Sequence, residues 1–152
     1  MREIKFRAKR IYSGEWVYGQ LVIPHIERTH ILSDGTVKTI GPQKDAAIYN
    51  DLIDPQEPWK TVDPDTIGQF TGLTDRNGEE IYEGDIVVIY WSEDDEDTSL
   101  KGIVTWRDCA MKILIQGEEK EYYNSLVADP FTTYEVIGNI FDNTDMIPGV
   151  AQ

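Results

Sequence analysis

Residues 68–86 read GQFTGLTDRNGEEIYEGDI, a stretch of short apolar and polar segments that four glycines interrupt. Asn77-Gly78 lies between two segments of strand character, and this pair accepts the positive φ angles of a tight hairpin turn. Gly84-Asp85 then precedes the apolar segment that begins at Ile86, and Gly and Asp are both favoured in turns. The stretch therefore predicts β-strands joined by tight turns.

A calcium or phosphate loop is the alternative interpretation of the same residues. An EF-hand loop needs Gly at its sixth position and Glu at its twelfth. Counted from Asp75, Gly78 is the fourth residue and the twelfth is Ile86. A phosphate loop would need a Gly-Lys-Ser/Thr sequence, which the chain lacks. We therefore expect neither a metal nor a cofactor here.

The N-terminal segment alternates apolar and basic side chains, the pattern of a half-buried strand. The basic positions of this strand, Lys5, Arg7 and Lys9, are expected to share one exposed face. Residues 16–23 (WVYGQLVI) predict a second strand, joined to the first by a hairpin-like connection near residues 13–14.

Two further elements are predicted before residue 65. Asp34-Gly35 lies between two short apolar segments and predicts a hairpin turn. Residues 44–53 carry apolar side chains at helical spacing, and Pro55 would end such a helix. This is the one helix that the sequence predicts, and it is short enough to depend on tertiary packing.

The remaining sequence is rich in short strands. Residues 86–91 are apolar on both faces, as in a central strand, and four more segments of strand character follow. Together the patterns predict a mainly β protein with at most one short helix. An N-terminal β-hairpin lobe would span residues 1–65 and a small SH3-like or OB-like barrel residues 66–145, with a tail over residues 146–152.

Charge and composition exclude several classes of protein. The 152 residues carry a net charge of −14, which disfavours nucleic-acid binding because phosphates are neutralised by Lys and Arg. Residues 1–40 nevertheless hold seven basic and four acidic residues, so the N-terminal portion is basic. The lone Cys109 excludes an internal disulfide. No apolar run is long enough to span a membrane, and the start of the chain does not resemble a signal peptide, so we expect a cytoplasmic protein.

Groups typical of catalysis are scarce. His25 and His30 are the only histidines, and they do not form a metal-binding motif. The acidic run Glu93–Asp97 is expected to be a solvated loop, and its alternative interpretation is a mimic of nucleic-acid phosphates. Trp16 and the other tryptophans are expected in the core or at an interface.

Several motifs resemble the YopX family of phage and prophage proteins. The opening REIKFRA resembles the family's REIKFRAW, with Lys9 at the position of its Trp. The segments that carry the resemblance are residues 2–8, 16–21, 66–75, 77–78, 80–87 and 135–141. The resemblance implies a mostly β protein made in a bacterial host, and it implies no activity, cofactor or catalytic residue.

From these observations we expect a non-enzymatic accessory protein that acts through protein–protein contacts. It would form a homo-oligomer or bind a host or phage protein, with Lys5, Arg7, Lys9 and Trp16 as candidate contact residues. An acidic inhibitor or DNA mimic of a host nucleic-acid enzyme, or a nucleic-acid-binding small barrel, are the alternatives.

Overall fold

The computed structural model describes residues 3–22, 28–31, 37–40, 46–50, 55–57, 59–91, 99–116, 121–128 and 130–147. These ranges contain antiparallel strands and two short 3-10 helices, so the prediction of a mainly β protein is confirmed. The strands are β1 (Phe6–Lys9), β2 (Trp16–Val22), β3 (Arg28–Ile31), β4 (Val37–Ile40), β5 (Ala47–Tyr49), β6 (Trp59–Thr61), β7 (Gly68–Thr74), β8 (Glu80–Tyr82), β9 (Asp85–Tyr90), β10 (Leu100–Arg107), β11 (Ala110–Gln116), β12 (Glu121–Ser125) and β13 (Thr133–Asn139). The 3-10 helices are Pro64–Thr66 and Thr144–Met146.

The chain divides into two compact units. The first unit is Lys5–Ile67, and the second unit consists of Met1–Ile4 together with Gly68–Gln152. Each unit has its own cluster of buried apolar side chains.

Four strands of the first unit form an antiparallel sheet in the order β6-β5-β2-β1. One face of this sheet is apolar: Ala8, Ile48 and Val62 are fully buried, and Val17 and Leu21 pack against them. Because side chains alternate along a strand, the residues between these positions point to the opposite face. That opposite face carries the candidate site.

The helix predicted over residues 44–53 is wrong where the structure describes it, because Ala47–Tyr49 is the strand β5. This strand pairs with β2 on one side and β6 on the other. Ile48 is thereby fully buried. The strand forms hydrogen bonds with two neighbouring strands, whereas a short helix would form only the hydrogen bonds of one or two turns. Tertiary pairing overrides the helical spacing of the apolar residues.

The strands β3 and β4 pair with each other, from Arg28 opposite Ile40 to Ile31 opposite Val37. This is the ribbon that the sequence predicts around Asp34 and Gly35. The two turn residues themselves lie outside the described residues.

The second unit contains a five-stranded antiparallel sheet in the order β12-β11-β10-β9-β13, and its strands β7 and β8 pair with each other. The predicted central strand is β9, which pairs with both β10 and β13. One sheet face buries Val87, Ile89, Val104 and Ile113. Within the described strands, β12 and β13 remain the two ends of an open order, so these residues do not form the closed SH3-like or OB-like barrel that the sequence suggests.

Candidate functional site

The outer face of the first unit's sheet begins with two cations opposite two aromatic rings. The register of β1 and β2 places Arg7 opposite Tyr18 and Lys9 opposite Trp16. Side chains of directly paired residues lie on the same face of a sheet, within contact distance of each other. These four residues therefore share the face that points away from the apolar core.

The strands β5 and β6 extend the same surface. Gln20 of β2 is opposite Tyr49, and Tyr49 is opposite Trp59. By alternation along β2, Tyr18 and Gln20 lie on one face, so the rings of Tyr49 and Trp59 continue the row. We call this surface the aromatic face; its members are Arg7, Lys9, Trp16, Tyr18, Tyr49 and Trp59.

Contacts within the aromatic face hold its rings in place. The Arg7 guanidinium carbon lies 4.7 Å from the centroid of the Trp16 ring, and Lys9 Nζ lies 5.4 Å from it. Both distances are those of cation–π interactions. The rings of Tyr49 and Trp59 are 4.7 Å apart and tilted by 55°, an arrangement that aromatic pairs favour. The surface is thus preorganised rather than a set of independent side chains.

The burial of Arg7 differs from the sequence prediction. Lys5, Arg7 and Lys9 were expected on an exposed face, yet Arg7 is only 7% exposed, whereas Lys5 and Lys9 are half-buried. The Arg7 guanidinium lies over the indole ring of Trp16 on the neighbouring strand. Each of the two side chains therefore covers part of the other's surface. Arg7 therefore positions Trp16, while the two lysines stay closer to solvent.

Three residues of the aromatic face, Tyr18, Tyr49 and Trp59, are not predicted by the sequence to share a face with Trp16. Tyr18 shares the period-2 pattern of Trp16, which is the signal that could have identified it. Tyr49 lies in the segment whose apolar spacing predicts a helix. Trp59 is expected in the core or at an interface like the other tryptophans, but the sequence does not indicate that it lies beside Tyr49 on this face. Tyr18 and Trp59 are the exposed rings of the face, with 36% and 54% of their surface accessible to solvent.

The predicted turn at Asn77-Gly78 lies between β7 and β8. Gly78 has a φ of 84° and donates its N–H to the carbonyl of Asp75 at 3.0 Å. The carboxylate of Asp75 accepts backbone N–H groups from Asn77, Glu79 and Val136 at 2.8, 2.9 and 3.0 Å. Burial alone would raise the pKa of Asp75, but these three hydrogen bonds outweigh it and hold the pKa below its ordinary value.

The predicted turn at Gly84-Asp85 connects β8 to β9. Gly84 has a φ of 87°, donates its N–H to the carbonyl of Val104 and accepts the N–H of Ile140. Asp85 is buried, and its carboxylate accepts the N–H of Tyr82 at 2.7 Å. In both turns the carboxylates bind backbone N–H groups, which is a structural role.

An open pocket of about 370 Å³ lies in the second unit, lined by residues 72–76 and by part of the segment 127–134. Arg76 borders it, with its guanidinium carbon 4.8 Å from the Tyr90 ring and Nη1 3.9 Å from Glu135. The Tyr90 hydroxyl donates to Glu135 at 3.0 Å, and this hydrogen bond raises the pKa of Tyr90. The Asp75 carboxylate and the Arg76 guanidinium are thus already engaged within the protein.

Other chemical groups are dispersed. Cys109 is exposed in the turn between β10 and β11, where Asp108 and Cys109 both have positive φ. Across the residues that the structure describes, no three His, Cys, Asp or Glu side chains are grouped so that they could hold a metal ion. Within the same ranges, no helix combines the length and the apolar character needed to cross a bilayer. The acidic run Glu93–Asp97 lies outside the described residues.

Comparison with known proteins gives a family. A search of curated proteins finds no match. Among solved structures, the crystal structure of protein EF1440 from Enterococcus faecalis is similar, at 21% identity over 95% of this chain and 98% of that chain, with a TM-score of 0.39. The model of the YopX protein family matches residues 5–147. The chain belongs to the YopX protein family.

Proposed function

We propose that this protein is a non-catalytic accessory protein of a phage or prophage, made in the bacterial cytoplasm. It acts through protein–protein contacts, including contacts with other copies of itself. The aromatic face is its docking surface. The single observation that carries the proposal is that a sheet with an apolar core on one side exposes the rings of Tyr18 and Trp59 on the other, on the same face as the half-buried Lys9 and Trp16.

The composition of the aromatic face supports a docking role. Tryptophan, tyrosine and arginine are the residues that dominate binding energy at protein interfaces. A solvated sheet face would ordinarily carry polar side chains, whereas Trp59 and Tyr18 expose large apolar rings. Exposed aromatic rings that cluster on one face are typical of an interaction surface.

The fixed arrangement of the rings within the aromatic face also supports a docking role. Cation–π and ring–ring contacts fix the rings before any partner arrives. A preorganised surface loses less conformational entropy on binding, so more of its contact energy becomes affinity.

A non-catalytic role is supported by the state of the polar groups near the pocket. Asp75 and Arg76 would be the natural acid–base and anion-binding groups there. Each is held by protein partners, Asp75 by three backbone N–H groups and Arg76 by Glu135 and Tyr90. General acid–base catalysis needs a titratable group within hydrogen-bond reach of a substrate.

A matched pair of tryptophan variants tests the proposal. Trp59→Ser removes an exposed ring from the aromatic face, and Trp106→Ser removes an almost equally exposed ring (54% against 47%) from the second unit. In analytical ultracentrifugation we expect the wild type to self-associate, Trp59→Ser to associate at least tenfold more weakly, and Trp106→Ser to behave as the wild type. Circular dichroism checks that all three are folded.

The same three proteins serve as baits in lysate from infected cells. A protein captured by the wild type and by Trp106→Ser, but not by Trp59→Ser, would support the proposal and would identify a different protein, rather than a second copy, as the partner. Identical association and identical captured proteins for all three baits would refute the role of the face.

Single-stranded nucleic acid is the second candidate ligand, because cations beside aromatic rings are also the means by which such strands are bound. The net charge of −14 opposes it through repulsion of phosphates. Fluorescence anisotropy with a labelled oligonucleotide separates the two: binding that Trp59→Ser abolishes and Trp106→Ser preserves would replace the protein partner with a nucleic acid.

A further inference from the structure

The turn between β7 and β8 contains the pair Asn77-Gly78, which is prone to a spontaneous covalent change. Of the five asparagines in the chain, only Asn77 is followed by glycine. The side-chain carbon of an asparagine and the next backbone nitrogen can close a five-membered imide ring, and glycine hinders this closure least because it has no side chain. Both residues are exposed, and a Cβ on Gly78 would meet nothing within 4 Å. The surroundings of the turn therefore leave room for the reaction.

Hydrogen bonds of the closed turn oppose this reaction. The N–H of Gly78 donates to the carbonyl of Asp75 at 3.0 Å. The N–H groups on either side of it, those of Asn77 and Glu79, donate to Oδ1 of the Asp75 carboxylate at 2.8 and 2.9 Å. To close the ring, the Gly78 nitrogen must lose its proton and move onto the Cγ atom of Asn77, so its hydrogen bond has to break first. Asp75 therefore holds the reactive segment in place with both its main chain and its side chain.

We propose that Asn77 is a deamidation site, protected while the β7–β8 turn is closed and reactive when the turn opens locally. A base in the solvent removes the proton of Gly78, and the nitrogen attacks the Cγ atom of Asn77. The bond from Cγ to the side-chain nitrogen then breaks, and ammonia leaves with protons taken from water. Water hydrolyses the imide: addition at Cγ gives aspartate, and addition at the backbone carbonyl gives isoaspartate. No group is oxidised or reduced.

Either product would weaken the closed turn. Aspartate at position 77 adds a second carboxylate near that of Asp75, and like charges at close range repel each other. Isoaspartate routes the main chain through the side chain and inserts one additional backbone atom before Gly78. The spacing at which the N–H groups of residues 77 and 79 meet one oxygen of Asp75 is thereby lost. Deamidation thus removes, irreversibly, hydrogen bonds that hold the turn closed.

Opening of the turn alone is enough to release the Gly78 nitrogen. Segments with solvent-exposed backbone hydrogen bonds open locally at a lower free energy than the whole fold. Residues 76–79 are exposed, whereas Ile113 in the core of the same unit is fully buried. When opening and closing are fast compared with the chemical step, the rate of deamidation follows the population of the open turn. Asp75 sets this population, and a core residue such as Ile113 does not.

The wild-type protein tests the protection without any substitution. Folded protein and protein unfolded in urea are incubated at the same mildly alkaline pH, and peptide mapping by mass spectrometry follows position 77. We expect the folded protein to deamidate more slowly by about tenfold or more, with isoaspartate among the products of both samples. Amide hydrogen exchange reports opening at the same N–H group, so the protection of Gly78 from exchange should match the slowing of deamidation within a few-fold.

Three results of that experiment would overturn the proposal. The first is deamidation of the folded protein at the rate of the unfolded chain, and the second is an unfolded chain in which Asn77 stays intact. The third is aspartate without isoaspartate, because direct hydrolysis of the side-chain amide gives aspartate alone.

Two variants separate local opening from global unfolding. Asp75→Ala removes the carboxylate that binds the N–H groups of Asn77 and Glu79, and Ile113→Val removes one methylene group from the core. We expect Asp75→Ala to speed deamidation of the folded protein by about tenfold and Ile113→Val to leave it unchanged, while both match the wild type in urea. Acceleration by each variant only in proportion to its loss of global stability would overturn the local opening. If Asp75→Ala does not fold, the comparison of Gly78 exchange with wild-type deamidation decides the question.

Discussion

At the scale of single residues, Asp75 shows how a carboxylate that looks like a ligand serves the fold. Its Oδ1 accepts N–H groups from Asn77 and Glu79, and its Oδ2 accepts the N–H of Val136 in β13. One side chain thus closes the β7–β8 turn and ties it to a strand far away in sequence. The Asn77-Gly78 pair predicts the turn, but no sequence pattern indicates the hydrogen bond between Val136 and Asp75.

We expect Asp75→Asn to destabilise the protein by about 1–3 kcal/mol, because the amide nitrogen must face a backbone N–H donor. The folded pKa of Asp75 is lowered, so its stabilisation is present above the unfolded pKa and is lost as pH falls through the folded pKa. Urea unfolding between pH 7 and pH 3 should show a smaller loss of stability for Asp75→Asn than for the wild type. Parallel pH profiles for the two proteins would contradict this role.

Gly78 and Gly84 have nearly the same backbone conformation, so substitutions at the two positions distinguish the cost of backbone strain from the cost of steric overlap. Gly78 and Gly84 have φ of 84° and 87°, but a Cβ on Gly78 meets nothing within 4 Å, whereas on Gly84 it would lie 3.3 Å from the Phe141 ring. Gly78→Ala should cost only the strain of positive φ, on the order of 1 kcal/mol. Gly84→Val should cost more, on the order of 1–3 kcal/mol. Equal melting temperatures for the two variants would refute the packing constraint at Gly84.

At the scale of elements, the second unit's strands were predictable because each carries a local signal. The apolar run of β9 and the alternation of β11 mark them as strands, and the sheet then follows from pairing neighbours in sequence. The turn at Asp108-Cys109 carries no glycine, although Asp tolerates positive φ, so its tightness could not be read from the sequence. The open order of the sheet depends on which strands pair over long range, which local patterns do not encode.

The strand β5 is the element where local pattern and tertiary structure conflict. Its spacing of apolar residues suits a helix, yet pairing with β2 and β6 decides its conformation and gives its two faces different roles. Ile48 points into the core and Tyr49 into the aromatic face. The candidate site could not be assembled from the sequence, because Tyr49 and Trp59 join it only through this strand.

The two faces of β5 predict a separation of stability from binding. Ile48→Ala removes a fully buried side chain and should destabilise the protein by about 2–5 kcal/mol. Tyr49→Ser removes a half-buried ring from the aromatic face; it should lower stability less and weaken association more. Chemical denaturation and analytical ultracentrifugation of both variants provide the comparison. If both variants lowered stability equally and neither weakened association, the assignment of Ile48 and Tyr49 to opposite faces of a strand would be contradicted.

At the scale of the whole molecule, a chain with a net charge of −14 has seven of its 14 Lys and Arg residues within residues 1–40, and the fold places two of these, Arg7 and Lys9, beside the Trp16 ring. Deleting residues 1–10 would appear to test their role directly. That deletion also removes Ala8, which is fully buried in the first unit's core, so it would unfold the sheet that carries the site. A substitution that leaves the backbone of β1 in place is therefore required.

Lys9→Gln meets this requirement. The N–H of Lys9 donates to Thr66 Oγ1 and its carbonyl accepts the N–H of Asp63, both at 2.8 Å, so the backbone is held independently of the side chain. Losing the charge over Trp16 removes a cation–π contact of about 0.5–1 kcal/mol that helps to hold the ring in place. We expect association to weaken by the corresponding factor of about two to five. Lys101→Gln, the same charge change at an exposed position of β10, should not weaken association; equal losses in the two variants would mean that bulk charge, and not the aromatic face, governs association.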